Sequence, residues 1–189
     1  NVRTRVGRSE RTAAIALLAP PPNGTGEETE SLARAMRLAA LLRHAVEPLV
    51  PGHIARYDDT FNPRAFGDLM QQWGVSTVLV ESGGWRDDPE KQYLRAVNFV
   101  ALLEALDAIA TGAWADADPA DYHALEMNGR AANDLLIHGG TVVVPGREPF
   151  RADLAVDFDG PLRLHGARLV DVGDLRDTVA RDSVDASGL

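Results

Sequence analysis

The sequence predicts an α/β fold with a small β-rich C-terminal subdomain. Three observations carry this reading. A short apolar run, "STVLVE" (76–81), lies between two helices that each have their own start and stop signals. A second apolar run, "AAIALLA" (13–19), precedes a long amphipathic helix. Beyond Asn128-Gly129 the chain changes to short β-rich runs separated by Gly, Pro and Asp turns. Helices alternating with apolar strands imply a layered domain around a central sheet.

The elements follow in order. "AAIALLA" is short enough for a buried strand and stops at Pro20-Pro21-Pro22. Residues 29–47 place Leu32, Ala35, Met36, Ala39, Leu42 and Val46 on one helical face. Acids crowd the start of this helix, Arg37 and Arg43 follow, and Pro48 ends it. "IARYDDTF" (54–61) reads as strand or loop. "NPRAFGDLMQQWG" (62–74) reads as a short helix, with Asn62 as N-cap, Pro63 in first position and Gly74 as stop. Its expected apolar face is Phe66, Leu69, Met70 and Trp73. Residues 88–112 form the best-marked helix, from Asp88 and Pro89 to Gly112. Its expected buried stripe is Tyr93, Val97, Val100, Leu103 and Leu106. The division is therefore 1–127 as the main α/β unit, 128–175 as a small β subdomain and 176–189 as a frayed tail.

Bulk properties narrow the function. The 189 residues carry a net charge of −9 with no basic cluster, which argues against a nucleic-acid partner or an anionic membrane surface. With no cysteine, thiolate metal sites and cysteine nucleophiles are excluded. No run reaches the roughly 20 apolar residues of a membrane span. The chain begins at Asn1 without a signal peptide, so a processed terminus or a piece of a longer protein is expected.

One residue stands apart. Glu81 closes an apolar strand and is followed by Ser82, Gly83, Gly84 and Trp85. In α/β folds, ligands bind beyond the carboxyl ends of parallel strands. Glu81 is expected at such an end, with the glycines admitting close backbone approach or positive φ and Trp85 walling a pocket. The plain alternative is a glutamate that caps the next helix or pairs with an arginine.

The passage from "FNPRAFGDLMQQWG" through "STVLVESGGW" to the helix ending at Gly112 resembles the C-terminal half of the catalytic domain of M14 zinc carboxypeptidases, bacterial members in particular. The likeness extends over roughly residues 1–115. It implies a mixed-sheet α/β/α fold, zinc-dependent hydrolysis of a peptide substrate, and Glu81 as general base for a zinc-bound water. Arg3, Arg5, Gly83 and Trp85 then become candidate substrate-binding residues. Export to the periplasm or outside the cell goes with the resemblance.

The resemblance also implies a His-x-x-Glu pair and a second histidine, all ahead of the glutamate in the chain. Two such strings occur, His44–Glu47 and His123–Glu126. The first lies mid-helix and the second after the closing helix, so both read as ordinary solvated pairs. His165 follows Glu47 at a suitable interval but in the wrong order. His53 and His138 are isolated and read as surface or turn residues, and "DFDG" (157–160) lacks the spacing of a calcium loop. The zinc ligands are therefore expected upstream of Asn1, with none in this chain and no zinc held by it alone. The missing upstream half of the domain is then its natural partner.

Three other readings remain open. An aspartoacylase or succinylglutamate-desuccinylase type of deacylase would use the same zinc and glutamate on an acyl-amino acid. "DLLIHGGTVVVPGREPFRADLAV" is similar to the small β-sandwich that opens amidohydrolases, although no barrel follows. A non-catalytic interaction domain with a degenerate site would make Glu81 dispensable.

Overall fold

The structure is a computed structural model and describes residues 4–129, 132–159 and 166–188. It is mixed α/β, as expected. The main unit contains β1 (Arg5–Val6), β2 (Ile15–Leu18), α1 (Glu30–Val46), β3 (Ile54–Arg56), α2 (Phe66–Gln72), β4 (Leu79–Ser82), α3 (Gln92–Thr111), α4 (Pro119–His123) and β5 (Asn128–Gly129). The C-terminal strands are β6 (Asn133–Val142), β7 (Phe150–Phe158), β8 (Ala167–Gly173) and β9 (Ala180–Asp185).

The central sheet has the order β3-β2-β4. Strand β2 runs parallel to β3 and antiparallel to β4. All four β2 residues are buried, which explains their uninterrupted apolar run. Ile15 and Leu17 enter the main core with Met36, Leu42 and Val46 of α1 and Leu94 and Val97 of α3. Ala16 belongs instead to a small cluster with Val6, Ala13 and Ala55. Thr29 caps α1 by accepting a hydrogen bond from the Leu32 N–H, and Ala35 and Ala39 keep its inner face small. Buried Tyr122 ties α4 to the sheet, its hydroxyl accepting from the Ala19 N–H at 3.1 Å.

Helix α2 reverses the expected face. Phe66 and Trp73 are exposed, while Asp68 and Gln71 are buried. Asp68 accepts from the Asn62 N–H, and Gln71 bridges the Ser31 hydroxyl and the Thr77 N–H. Buried backbone groups at these turns need partners, and a short helix is oriented by supplying them. The N-cap also moves: Asn62 holds a preceding turn, and Ala65 occupies the cap position.

Helix α3 also turns differently from expectation. Its buried residues are Leu94, Val97, Ala101 and Ala108, so of the predicted stripe only Val97 is buried. The helix is apolar around much of its circumference, and periodicity alone does not select a face. Its smaller side packs against α1. Asp88 caps α3 from the preceding turn, its carboxylate accepting from the Tyr93 and Leu94 N–H groups at 3.1 and 3.0 Å. Gly112 ends the helix in the left-handed conformation.

The second sheet has the order β8-β7-β6-β9. The residues expected as a frayed tail contribute β9, which pairs parallel with β6. That register was hidden because its strand, "ARDSVD", carries few apolar residues. Among the described residues the buried core of this sheet is small: Leu136, Ala155 and Leu175. Carboxylates supplement it. Asp153 accepts from the Gly139 and Leu175 N–H groups, and buried Asp134 accepts from the Phe158 N–H.

Asp88 supplies a test of the α3 cap. Desolvation pushes its carboxyl pKa upward, but the amides of Leu94, Tyr93 and Gln92 and the Lys91 charge outweigh that and hold it below 3.8. A depressed folded pKa means stability that is present above the unfolded value and lost as pH falls through the folded one. Asp88→Ala is expected to lower Tm at pH 7. The gap to wild type should close as melts are repeated below pH 3.8.

Candidate functional site

Glu81 is the third residue of β4 and lies directly opposite Ala16. Directly opposed residues of an antiparallel pair share a sheet face. Val80 therefore packs on the main core with α1 and α3, while Glu81 stands on the other face. There a crevice of about 10 Å³ is lined by Thr4, Ala13, Ala16, Tyr57, Glu81 and Gly83. This is about the room that one water needs. The alanines of the 13–19 run make that room, because any larger side chain at Ala13 or Ala16 would fill it.

The placement differs from the expected one in strand direction. Strand β4 is antiparallel to β2, so its carboxyl end lies beside the amino ends of β2 and β3. Glu81 sits within β4 and not beyond it. Ser82 faces the helices and accepts from the Asn98 amide at 2.8 Å. The Gly83 N–H continues the pairing onto the Ala14 carbonyl, and the Gly83 carbonyl accepts from the Lys91 ammonium. Gly83 and Gly84 are buried, and neither has positive φ. The positive φ values nearby belong to Asp87 and Lys91, at 59° and 58°. These left-handed residues shape the turn that carries Asp88 into its capping position.

Trp85 is held on two sides. Its ring meets His53 edge-on at 4.9 Å and stacks on Tyr93 at 5.6 Å. The Tyr93 hydroxyl donates to the Leu49 carbonyl. Trp85 also borders an open cleft of about 820 Å³, together with Arg11, Thr12, His53, Arg86 and Arg181. Glu81 does not line that cleft, so Glu81 and Trp85 face different spaces. Arg5 lies in β1, paired with Gly129, and lines neither space. Arg3 falls outside the described residues.

Each histidine string is drawn into structural contacts. His44 Nε2 lies 2.8 Å from the Asp121 carboxylate, and Glu47 accepts from the Gly52 N–H. The hydrogen bond from His44 is the main influence holding the Asp121 carboxyl below its ordinary pKa. His123 lies beside the Arg56 guanidinium, and Glu126 packs under Gly7. His53, expected at the surface, is half-buried against Trp85 and bonds to the Thr12 carbonyl. His138 lies 3.7 Å from Asp153. His165 is outside the described residues. Among the described residues no three His, Asp or Glu side chains converge as a metal site.

Tyr57 is the site residue that sequence reasoning passed over. It follows β3 directly, and its N–H bonds to the Leu17 carbonyl. The only hint was an aromatic at the end of an uncertain strand. No family model, curated protein or solved structure matches this chain.

The environment of Trp85 predicts a packing contribution. Trp85→Ala is expected to cost about 2–3 kcal/mol in urea unfolding, below the range for a fully buried large aromatic because the ring is only partly buried. Trp85→Phe should recover part of that loss.

Proposed function

We propose that this chain is the C-terminal part of a zinc-dependent hydrolase domain of the M14 carboxypeptidase type, acting on a peptide substrate, with Glu81 as general base. The observation that supports this most is the setting of Glu81. It is a half-buried carboxylate on a hydrogen-bonded strand, above a floor of alanines, beside space for about one water. A general base needs hydrogen-bond reach of the proton it takes and a fixed orientation. A sheet strand supplies rigidity that a loop lacks.

Glu81 would take a proton from the attacking water and return it to the leaving amine. Among the described residues no three zinc donors converge, and the role proposed for this chain's own residues is proton handling at Glu81. On this reading the donors come from polypeptide preceding Asn1. Strand β4, like β3, lies at an edge of its sheet among the described residues, and on this reading the upstream polypeptide would join at the β4 edge, next to Glu81. The carboxypeptidase-like α/β/α architecture and an exported location belong to the same proposal.

The test is Glu81→Gln in the full-length protein, assayed on a peptide substrate with zinc content measured in parallel. The expected result is a fall in kcat of about 10²–10⁴-fold with zinc content unchanged. Near-normal kcat would overturn the general-base role, and absence of peptide hydrolysis by the wild-type protein would favour an interaction domain.

A further inference from the structure

We infer that the outward face of α3 is an interface between two copies of this chain, with the two α3 helices packed antiparallel. The inference does not depend on the hydrolase reading. Its starting point is the distribution of large apolar residues on one helix. The inner side of α3 uses Leu94, Val97 and small Ala101 and Ala108. The outer side carries Phe99, Leu102, Leu106 and Ile109, exposed by 61%, 58%, 57% and 59%. Leu103, 50% exposed, adjoins them.

The spacing of these residues is specific. Phe99, Leu102, Leu106 and Ile109 advance by three, four and three residues, the pattern that brings side chains into one seam between two helices. A surface helix usually has one apolar face, whereas α3 has two. Together the five side chains present roughly 600 Å² of apolar surface, at the top of what a monomer commonly exposes. A standard interface takes about 800 Å² from each partner. The seam with its flanking residues therefore approaches the area of a stable dimer.

The near absence of charge on this face suits an identical copy, and the one charge at its end favours the antiparallel direction. From Phe99 to Ala110 the helix carries only Glu104 and Asp107 as charged residues, and the other end of the outward side carries Arg95. An antiparallel pair that lays Phe99 against Ile109 and Leu102 against Leu106 of the other copy keeps the two Arg95 side chains at opposite ends of the seam. It also opposes the two helix dipoles. A parallel pair would align the dipoles and place Arg95 beside its own copy. The surface is thus self-complementary under a two-fold axis, as a closed homodimer requires.

Sedimentation equilibrium of the full 189-residue chain at micromolar concentration tests the inference. The expected mass is twice the 20.3 kDa of the chain. The double variant Leu102→Glu/Leu106→Glu should sediment as a monomer with an unchanged far-UV circular dichroism spectrum, because neither residue is buried in the core. A matched control, Phe66→Glu/Trp73→Glu, alters the exposed apolar residues of α2 and should leave the dimer intact. A wild-type monomer, which would leave the face to another partner, overturns the inference. So does a dimer that survives the α3 changes or one that is lost only with the α2 changes.

Discussion

Strand β2 has no solvent-facing side. It is bonded to β3 on one edge and β4 on the other, with helices over one face and a layer of small residues on the other. Ile15 and Leu17 on the helix face are completely buried, each contributing about 1.5–3 kcal/mol by removal from water. Its four residues fix the spacing of α1 and α3, the direction of β4 and the floor beneath Glu81. The two faces have opposite demands. The helix face needs bulk, and the other face needs Ala13 and Ala16 to stay small if Glu81 is to have open space beside it.

Polar groups do much of the positioning around that core. Gln71, Asp68 and Asp88 each accept from backbone amides at turns, where unpaired N–H groups would be costly. In the C-terminal sheet, Asp134 and Asp153 do the same where the apolar core is thin. The excess of acids in the composition is therefore partly structural. Among the described residues Asp68, Asp88, Asp134 and Asp153 all accept from backbone N–H groups, and Asp134 also meets Arg181.

Helices α1, α2 and α3 and strands β2 and β4 were legible because their signals are local, whereas α4 was not read from the sequence and β3 was read only as strand or loop. Thr29 at the start of α1, Gly112 at the end of α3 and the run at β2 depend on neighbours in the chain. Three features were not legible, each for a nonlocal reason. The buried side of α2 is set by turns that Gln71 and Asp68 must satisfy. The buried side of α3 is chosen by packing among apolar alternatives. Strand β9 exists through its pairing with β6, not through its own composition. At the site, the residue type of Glu81 was legible. Its strand direction and its crevice with Tyr57 needed the fold.

On the proposed reading, this chain supplies the proton-handling carboxylate of a metal hydrolase and not the donors of its metal. Elemental analysis for zinc after loading and desalting at neutral pH tests the second half of that claim directly. Less than about 0.1 zinc per chain is expected, because a site lacking its converging donors binds weakly. Close to one tightly held zinc would contradict it. That result would show that His44 or His123 leaves its present hydrogen bonds to ligate a metal.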